Sequence, residues 1–159
     1  MNPSMKKRPN RSPEIANRKA HYAFEIIETF EAGIALTGSE VKSLRAGKAS
    51  LAEAFAIIRS GEAFLRDCNI SPYENAGYAQ HAPTRERRLL LHRREIRKLH
   101  AKVTQKGLTL VPLRVYFSER GLAKVAIALC RGKRLHDKRA DLKRREHERE
   151  MSRAAKRRW

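Results

Sequence analysis

The sequence predicts a mainly β protein: a small antiparallel barrel of the OB-like class with flanking helices and disordered basic termini. Three observations lead there. Apolar runs pair up across short glycine-containing turns, at Arg-Ser-Gly-Glu (59–62) and Glu-Arg-Gly (119–121). Two other stretches have helical spacing and end on glycine. Only 41% of the 159 residues are apolar, so a core is affordable only if part of the chain stays outside it.

Each element follows in order. Residues 1–16, MNPSMKKRPNRSPEIA, are rich in proline, serine and base without periodicity, as a disordered arm would be. The barrel domain is expected over 17–131. From His21, HYAFEIIETFEAGIALTG reads as extended structure around a Glu-Ala-Gly break. Ser39 is placed to cap a short helix, EVKSLRA, with Val41 and Leu44 facing inward and Gly47 ending it. AFAIIRSGEAFLRDCNI is the clearest hairpin, Gly61 being free to take positive φ. A polar loop, SPYENAGYAQHAPT, comes next. Then RRLLLHRREIRKLHAKVTQKG repeats Ile96, Leu99 and Val103 at helical spacing up to Gly107. Arg93, Arg97 and Lys98, or Arg94, line the solvent face of that helix. LTLVPLRVYFSERGLAKVAIALC is a second hairpin, with Pro112 marking an edge or a bulge. The sum is about six strands and two helices.

Charge says more about function than the core does. The formal charge is +19, placed as +5 in residues 1–20, +7 in 85–106 and +7 in the tail 132–159, which leaves the rest of the body neutral. Concentration into patches indicates a surface for a polyanion. Nucleic acid fits better than an anionic membrane, because the tail lacks the broad apolar face of an interfacial helix. No run reaches the roughly 20 apolar residues of a spanning helix. Cys68 and Cys130 stand alone, without a CxxC pattern, and read as reduced core thiols of a cytoplasmic protein.

Catalytic chemistry finds no foothold. GSEVKSLRAGKAS contains Gly-Lys, but a phosphate loop needs glycine where Lys42 stands and Ser or Thr where Ala49 stands. The six histidines form no HExxH or Cys/His framework, and His92 and His100 are eight apart with no nearby Cys or Asp. No GxSxG occurs. Acids at Glu25, Glu28 and Glu31 read as a solvated strand face. The expectation is a protein without catalytic residues, metal or cofactor.

The tail carries twelve basic and five acidic residues. It can be a solvated charge run, a docked helix, or a segment that folds on its target. As a helix it has only the stripe Met151–Ala155–Trp159, too little to offset ordering at about 1–2 kcal/mol per residue. Helical propensity is nonetheless good, with no Pro or Gly after Gly132. Against phosphates its cations gain counterion release. Folding on RNA is therefore the favoured reading.

Four blocks, FEAGIALTGSEVKSLRAGKASL, GEAFLRDCNISPY, PTRERRLLLHRREI and GKRLHDKRADLKRRE, resemble the small protein B family of tmRNA-binding (SsrA-binding) proteins from about Asn17 to Glu146, in order and spacing. The resemblance implies an OB-like barrel, monomeric when free, that binds the tRNA-like domain of tmRNA in trans-translation. It also implies delivery to ribosomes stalled with an empty mRNA channel. Elongation factor Tu and alanyl-tRNA synthetase would be reached indirectly, through the RNA. By position, Glu31, Leu90 and His92 correspond to the family's tmRNA patch, with Arg45, Lys48, Arg93 and Arg97 as supporting cations. Read from its Leu-Leu-Leu run alone, Leu90 is a core residue; the resemblance implies a surface one. The tail residues Lys133, Arg134, His136, Asp137, Lys138, Arg139, Lys143, Arg144 and Arg145 correspond to the segment placed near the decoding centre and mRNA channel, helical there. Asp137 is suited to cap that helix. Tyr22-Ala23-Phe24 departs from the His-Asp-Tyr of many members, and His92 from the asparagine of some. The alternative is a general basic OB-type ribosomal or single-strand-binding protein. That class needs aromatic platforms, whereas Phe24, Phe30, Phe55, Phe64, Tyr116 and Phe117 mostly sit in apolar runs.

Overall fold

The computed structural model describes residues 13–133 and 135–157, leaving out the side chains of 135–138. Most of the expected N-terminal arm, together with Arg134 and Trp159, lies outside the described residues. The strands are β1 (Ile15–Ala16), β2 (Phe24–Ile34), β3 (Ala49–Ser50), β4 (Phe55–Arg59), β5 (Glu62–Arg66), β6 (Asn69–Ile70), β7 (Arg87–Leu90), β8 (Thr109–Phe117) and β9 (Ala123–Gly132). The helices are α1 (Ala20–Ala23), α2 (Gly38–Arg45), α3 (Arg93–Lys106) and α4 (Leu135–Arg157). One sheet runs β1-β8-β4-β5-β7-β2-β9, and the additional β8–β9 pairing closes it into a barrel. All its strand pairs are antiparallel. Closure removes the edges at which an open sheet would aggregate.

Burial alternates along the strands, as a barrel requires. In β2, Ala32 and Ile34 are buried while Glu31 faces out. β2 runs unbroken through Glu-Ala-Gly, where a break was expected, and its irregularity is instead a bulge between Ile26 and Glu28. Gly33 serves a close approach: an added Cβ would stand 3.2 Å from the Cβ of Leu90 on β7. The bulge expected at Pro112 is present, as a register shift between Pro112 and Arg114. At the β4–β5 turn both Ser60 and Gly61 have positive φ, the geometry of a tight two-residue hairpin.

Three assignments change. Arg87–Leu90 is strand β7, not the start of a helix; Arg87 and Leu89 point in, Arg88 and Leu90 out, and β7 fills the gap between β5 and β2. The helix starts only at Arg93, buries Ile96 and Leu99, and stops at Gly107 in the left-handed region. The cap of α2 is Thr37 rather than Ser39: its amide donates to Glu40 Oε1 at 2.9 Å in a capping box. The end of the expected arm is ordered, Ile15–Ala16 pairing with Val115 and Arg114.

Within the core lies an ion pair that the sequence did not announce. Glu40 on α2 and Arg87 on β7 are both fully buried and joined through Arg87 Nε. Arg87 also donates to the carbonyls of Cys68 at 2.7 Å and Pro83 at 3.1 Å. Arg85 reaches Glu40 from the rim at 2.6 Å. Burial pushes the Glu40 carboxyl up, but hydrogen bonds from Arg85, the Thr37 amide and Arg87 overcome it and bring it down to about 2. Cys68 and Cys130 are buried free thiols, as expected, and burial raises both to about 11.

The tail, expected to be helical against RNA, is one helix of 23 residues over Leu135–Arg157, roughly 35 Å long. Its residues are good helix formers, uninterrupted by Gly or Pro. Its base is also fixed: Lys133 ion-pairs with Asp141 and donates to the His21 carbonyl at 3.2 Å. Asp137 lies inside the first turn, not ahead of it.

Candidate nucleic-acid interface

The outer face of β2 and β7 gathers the first group of expected residues. Glu31 is two residues before Gly33 and therefore on the same face, and Gly33 pairs with Leu90. His92, two residues past Leu90 and beyond the end of β7, is exposed at the N-cap of α3. Leu90 is 54% exposed, so its place in a Leu-Leu-Leu run does not make it core. The reason is alternation: Leu89 takes the inward position. Beside Leu90 a groove of about 530 Å³ opens between the Ser60–Gly61 turn and the start of α3. Its walls are Arg88, Arg93 and Arg97, and Leu90, Leu91 and Ile96 add apolar surface. Such a groove offers cations for phosphate and apolar surface for a base or ribose.

Glu31 is held in place across the sheet. The Tyr116 hydroxyl on β8 donates to its Oε2, and Lys124 on β9 stands 3.9 Å from Oε1. Arg114 stacks over the Tyr116 ring at 4.4 Å. Burial, then the Glu31 hydrogen bond, pushes the Tyr116 hydroxyl up to about 12, so it remains a donor. Glu31 stays exposed with free acceptor capacity, suited to a base amino group or a ribose hydroxyl. Tyr116, one of the aromatics that sit in apolar runs, lies outside the core. Its period-two offset from buried Val125's partner Val115 is the signal that puts it outside.

Not every cation of the internal basic segment is available. Arg87 is inside the barrel, Arg85 serves Glu40, and Arg88 pairs with Glu62 at 3.1 Å. Lys98 and Lys102 both bind Glu28 of β2, at 2.7 and 3.1 Å, and their hydrogen bonds hold that carboxyl below its usual range. Arg93, Arg94 and Arg97 remain exposed on α3. Arg45 and Lys48 lie on and just after α2, which follows the Gly33–Ile34 end of β2, and Arg45 covers the ring of Phe117, next to Tyr116, at 4.6 Å.

The tail presents its charge differently. Arg139, Lys143 and Arg144 are exposed and Arg145 half-buried, with Arg144 3.4 Å from Asp141. Lys133, largely covered, is the root of the helix rather than a free contact. Arg134 is outside the described residues, as are the side chains of His136, Asp137 and Lys138. Among the described residues no three His, Cys, Asp or Glu side chains gather as metal ligands, and no helix is long and apolar enough to cross a membrane.

Comparison with known proteins shows the family. The family model described as SmpB protein matches residues 14–157. An SsrA-binding protein of Nostoc punctiforme is 58% identical over 141 residues, 88% of this chain and 90% of the relative. One from Moorella thermoacetica is 56% identical over 142 residues, 89% of this chain and 92% of the relative. A solved structure, "tmRNA-SmpB: a journey to the center of the bacterial ribosome", contains a chain 54% identical to this one, with a TM-score of 0.66 over 80% of this chain and 92% of that one.

Proposed function

The chain belongs to the SmpB protein family, and from that membership we propose that it is a tmRNA-binding adaptor of trans-translation, acting in the cytoplasm without catalysis. The barrel binds the tRNA-like domain through Glu31, Leu90 and His92, with Arg93 and Arg97 taking phosphates. Arg45 and Lys48 add further contacts to the same RNA. The tail helix is used on the ribosome, lying in the mRNA channel when no message fills it, with His136, Asp137, Lys138 and Arg139 near the decoding centre.

The observation that carries this reading is Leu90. An exposed leucine alone is ordinary; this one stands next to an oriented carboxylate and a cation-walled groove, and the grouping suits RNA. The division of labour has a physical basis as well. Many cations of the barrel are paired with acids, whereas the tail has twelve cations against five acids.

The test uses RNA captured on the full chain and on a chain ending at Arg131. Both should retain the tRNA-like domain of tmRNA, while only the full chain supports tagging of stalled peptides. Loss of specific tmRNA capture on truncation would refute the assignment of recognition to the barrel.

A further inference from the structure

Tyr78 is fully exposed, at 105% relative accessibility, and is the only aromatic among the exposed large apolar side chains of the described residues. Several other rings are covered by a cation: Lys42 lies over Tyr73, Arg59 over Phe64, and Lys98 over Phe30, at 4.8–5.6 Å. Tyr78 has no such cover among the described contacts.

The segment carrying Tyr78 is braced at every level. The Gln80 side chain accepts from the Tyr73 amide at 2.9 Å and donates to the Tyr73 carbonyl at 2.6 Å, closing the loop tip 73–80 on itself. Next in the chain, buried His81 bonds Ser39 Oγ at 2.8 Å and the Ile70 carbonyl at 2.9 Å. A carbonyl only accepts, so Nε2 donates there and Nδ1 faces the Ser39 hydroxyl. Below that, Ile70 N donates to Pro83 O at 2.9 Å, and buried Arg87 holds the same carbonyl.

We propose that Tyr78 is a stacking platform for one unpaired base of RNA, a contact separate from the Glu31–Leu90–His92 face. Base stacking on an aromatic needs a ring with a free face, held so that ordering costs little on binding. The structure supplies the free face, and it braces the backbone that carries the ring. Exposed Lys42 and Lys48, on the neighbouring α2 and the turn after it, supply charge for flanking phosphates. The Lys48 carbonyl accepts from the Ser71 amide at 3.0 Å, which ties that turn to the root of the loop. This inference rests on the RNA-binding reading above; tmRNA and ribosomal RNA both offer unpaired bases.

The test uses the full chain. Because Trp159 is the one tryptophan, Trp159→Phe combined with Tyr78→Trp gives a single reporter at the loop tip. It is titrated separately with the tRNA-like domain transcript and with ribosomes lacking message, binding being followed independently by gel shift or sedimentation. Stacking should quench the reporter in one arm, which identifies the RNA. In that arm Tyr78→Ala should weaken binding by roughly 5- to 100-fold and Tyr78→Phe by less than about 2-fold, with unchanged melting. Binding in both arms without quenching, or Tyr78→Ala binding like wild type in both, would overturn the platform. Wild-type protein that bound neither RNA would overturn the RNA-binding reading and this inference with it.

Discussion

Replacing Glu40 by glutamine should be among the most damaging conservative changes in the barrel. Glu40 is fully buried and receives the Thr37 amide at 2.9 Å, the Thr37 hydroxyl at 3.1 Å, Arg85 at 2.6 Å and Arg87 through Nε. Glutamine keeps the shape but removes the charge. Arg87 would then be a buried guanidinium facing only the carbonyls of Cys68, Arg85 and Pro83. Leaving one member of a buried pair uncompensated costs about 3–5 kcal/mol. A second route gives a similar figure. Lowering the Glu40 carboxyl from 4.5 to about 2 corresponds to about 3 kcal/mol of pH-linked stability.

For a domain of this size, a loss of 3–5 kcal/mol lowers the melting midpoint by roughly 10–20 °C. The pH dependence fixes the cause. A depressed carboxylate contributes its full stability above 4.5 and loses it as pH falls through about 2. Wild-type and Glu40→Gln midpoints should therefore be far apart at pH 7 and converge as the pH approaches 2. A midpoint change worth less than about 1 kcal/mol at pH 7, or a gap that did not narrow in acid, would show that the pair is not the fastener inferred here.

Leu90→Asp should melt within about 1 kcal/mol of wild type, because a half-exposed position leaves the new charge solvated, while tmRNA binding falls at least 10-fold; a large drop in midpoint would return Leu90 to the core. Tyr116→Phe removes the donor that orients Glu31, so RNA binding measured by gel shift should weaken by roughly 3- to 10-fold with melting little changed. In the tail, Arg145→Pro breaks α4 near its middle at about 3 kcal/mol, whereas Arg145→Ala removes the same charge and keeps the helix. Peptide tagging should fail with proline and largely survive with alanine, and tmRNA binding should tolerate both; equal defects in tagging would make charge, not helix, the requirement.

The hairpins were legible in the sequence because their signals are local. Ser60–Gly61 needs positive φ, and Pro112 cannot sit in a regular ladder without cost, so each announces its turn or bulge. β7 was not legible. Four residues, Arg-Arg-Leu-Leu, place an arginine in the core, and only the partner on α2, forty-seven positions away, makes that tolerable. Glu40 was hidden for the same reason. Leu90 could be placed on the surface from the family resemblance, since its neighbours in the run are as apolar as it is. Tyr116 was not legible as a surface residue because aromatic strand residues are core on one face and free on the other, and the bulge after Pro112 resets which is which. Tyr78 raised no signal at all: a tyrosine in a polar loop is common, and its bracing is visible only once Gln80, His81 and Arg87 are in place.

The same accounting explains how one chain manages so much positive charge. In the barrel, cations are built into the fold: Arg87 on Glu40, Arg59 on Glu86 at 2.7 Å, Arg88 on Glu62, and Lys98 and Lys102 on Glu28. Paired charges contribute little counterion release, so recognition there must come from shape and a few oriented groups. In α4 nine cations stand against five acids along the helix, which buries almost nothing. Such a surface binds an RNA wall through many weak phosphate contacts that carry no sequence information. The junction reconciles the two regimes. β9 stays paired to β2 as far as Gly132, opposite Phe24, and Lys133 then fastens the helix base to α1 through His21 and to α4 through Asp141. The barrel is thereby joined, at one glycine and one lysine, to a rod whose exposed cations suit a wall of phosphates.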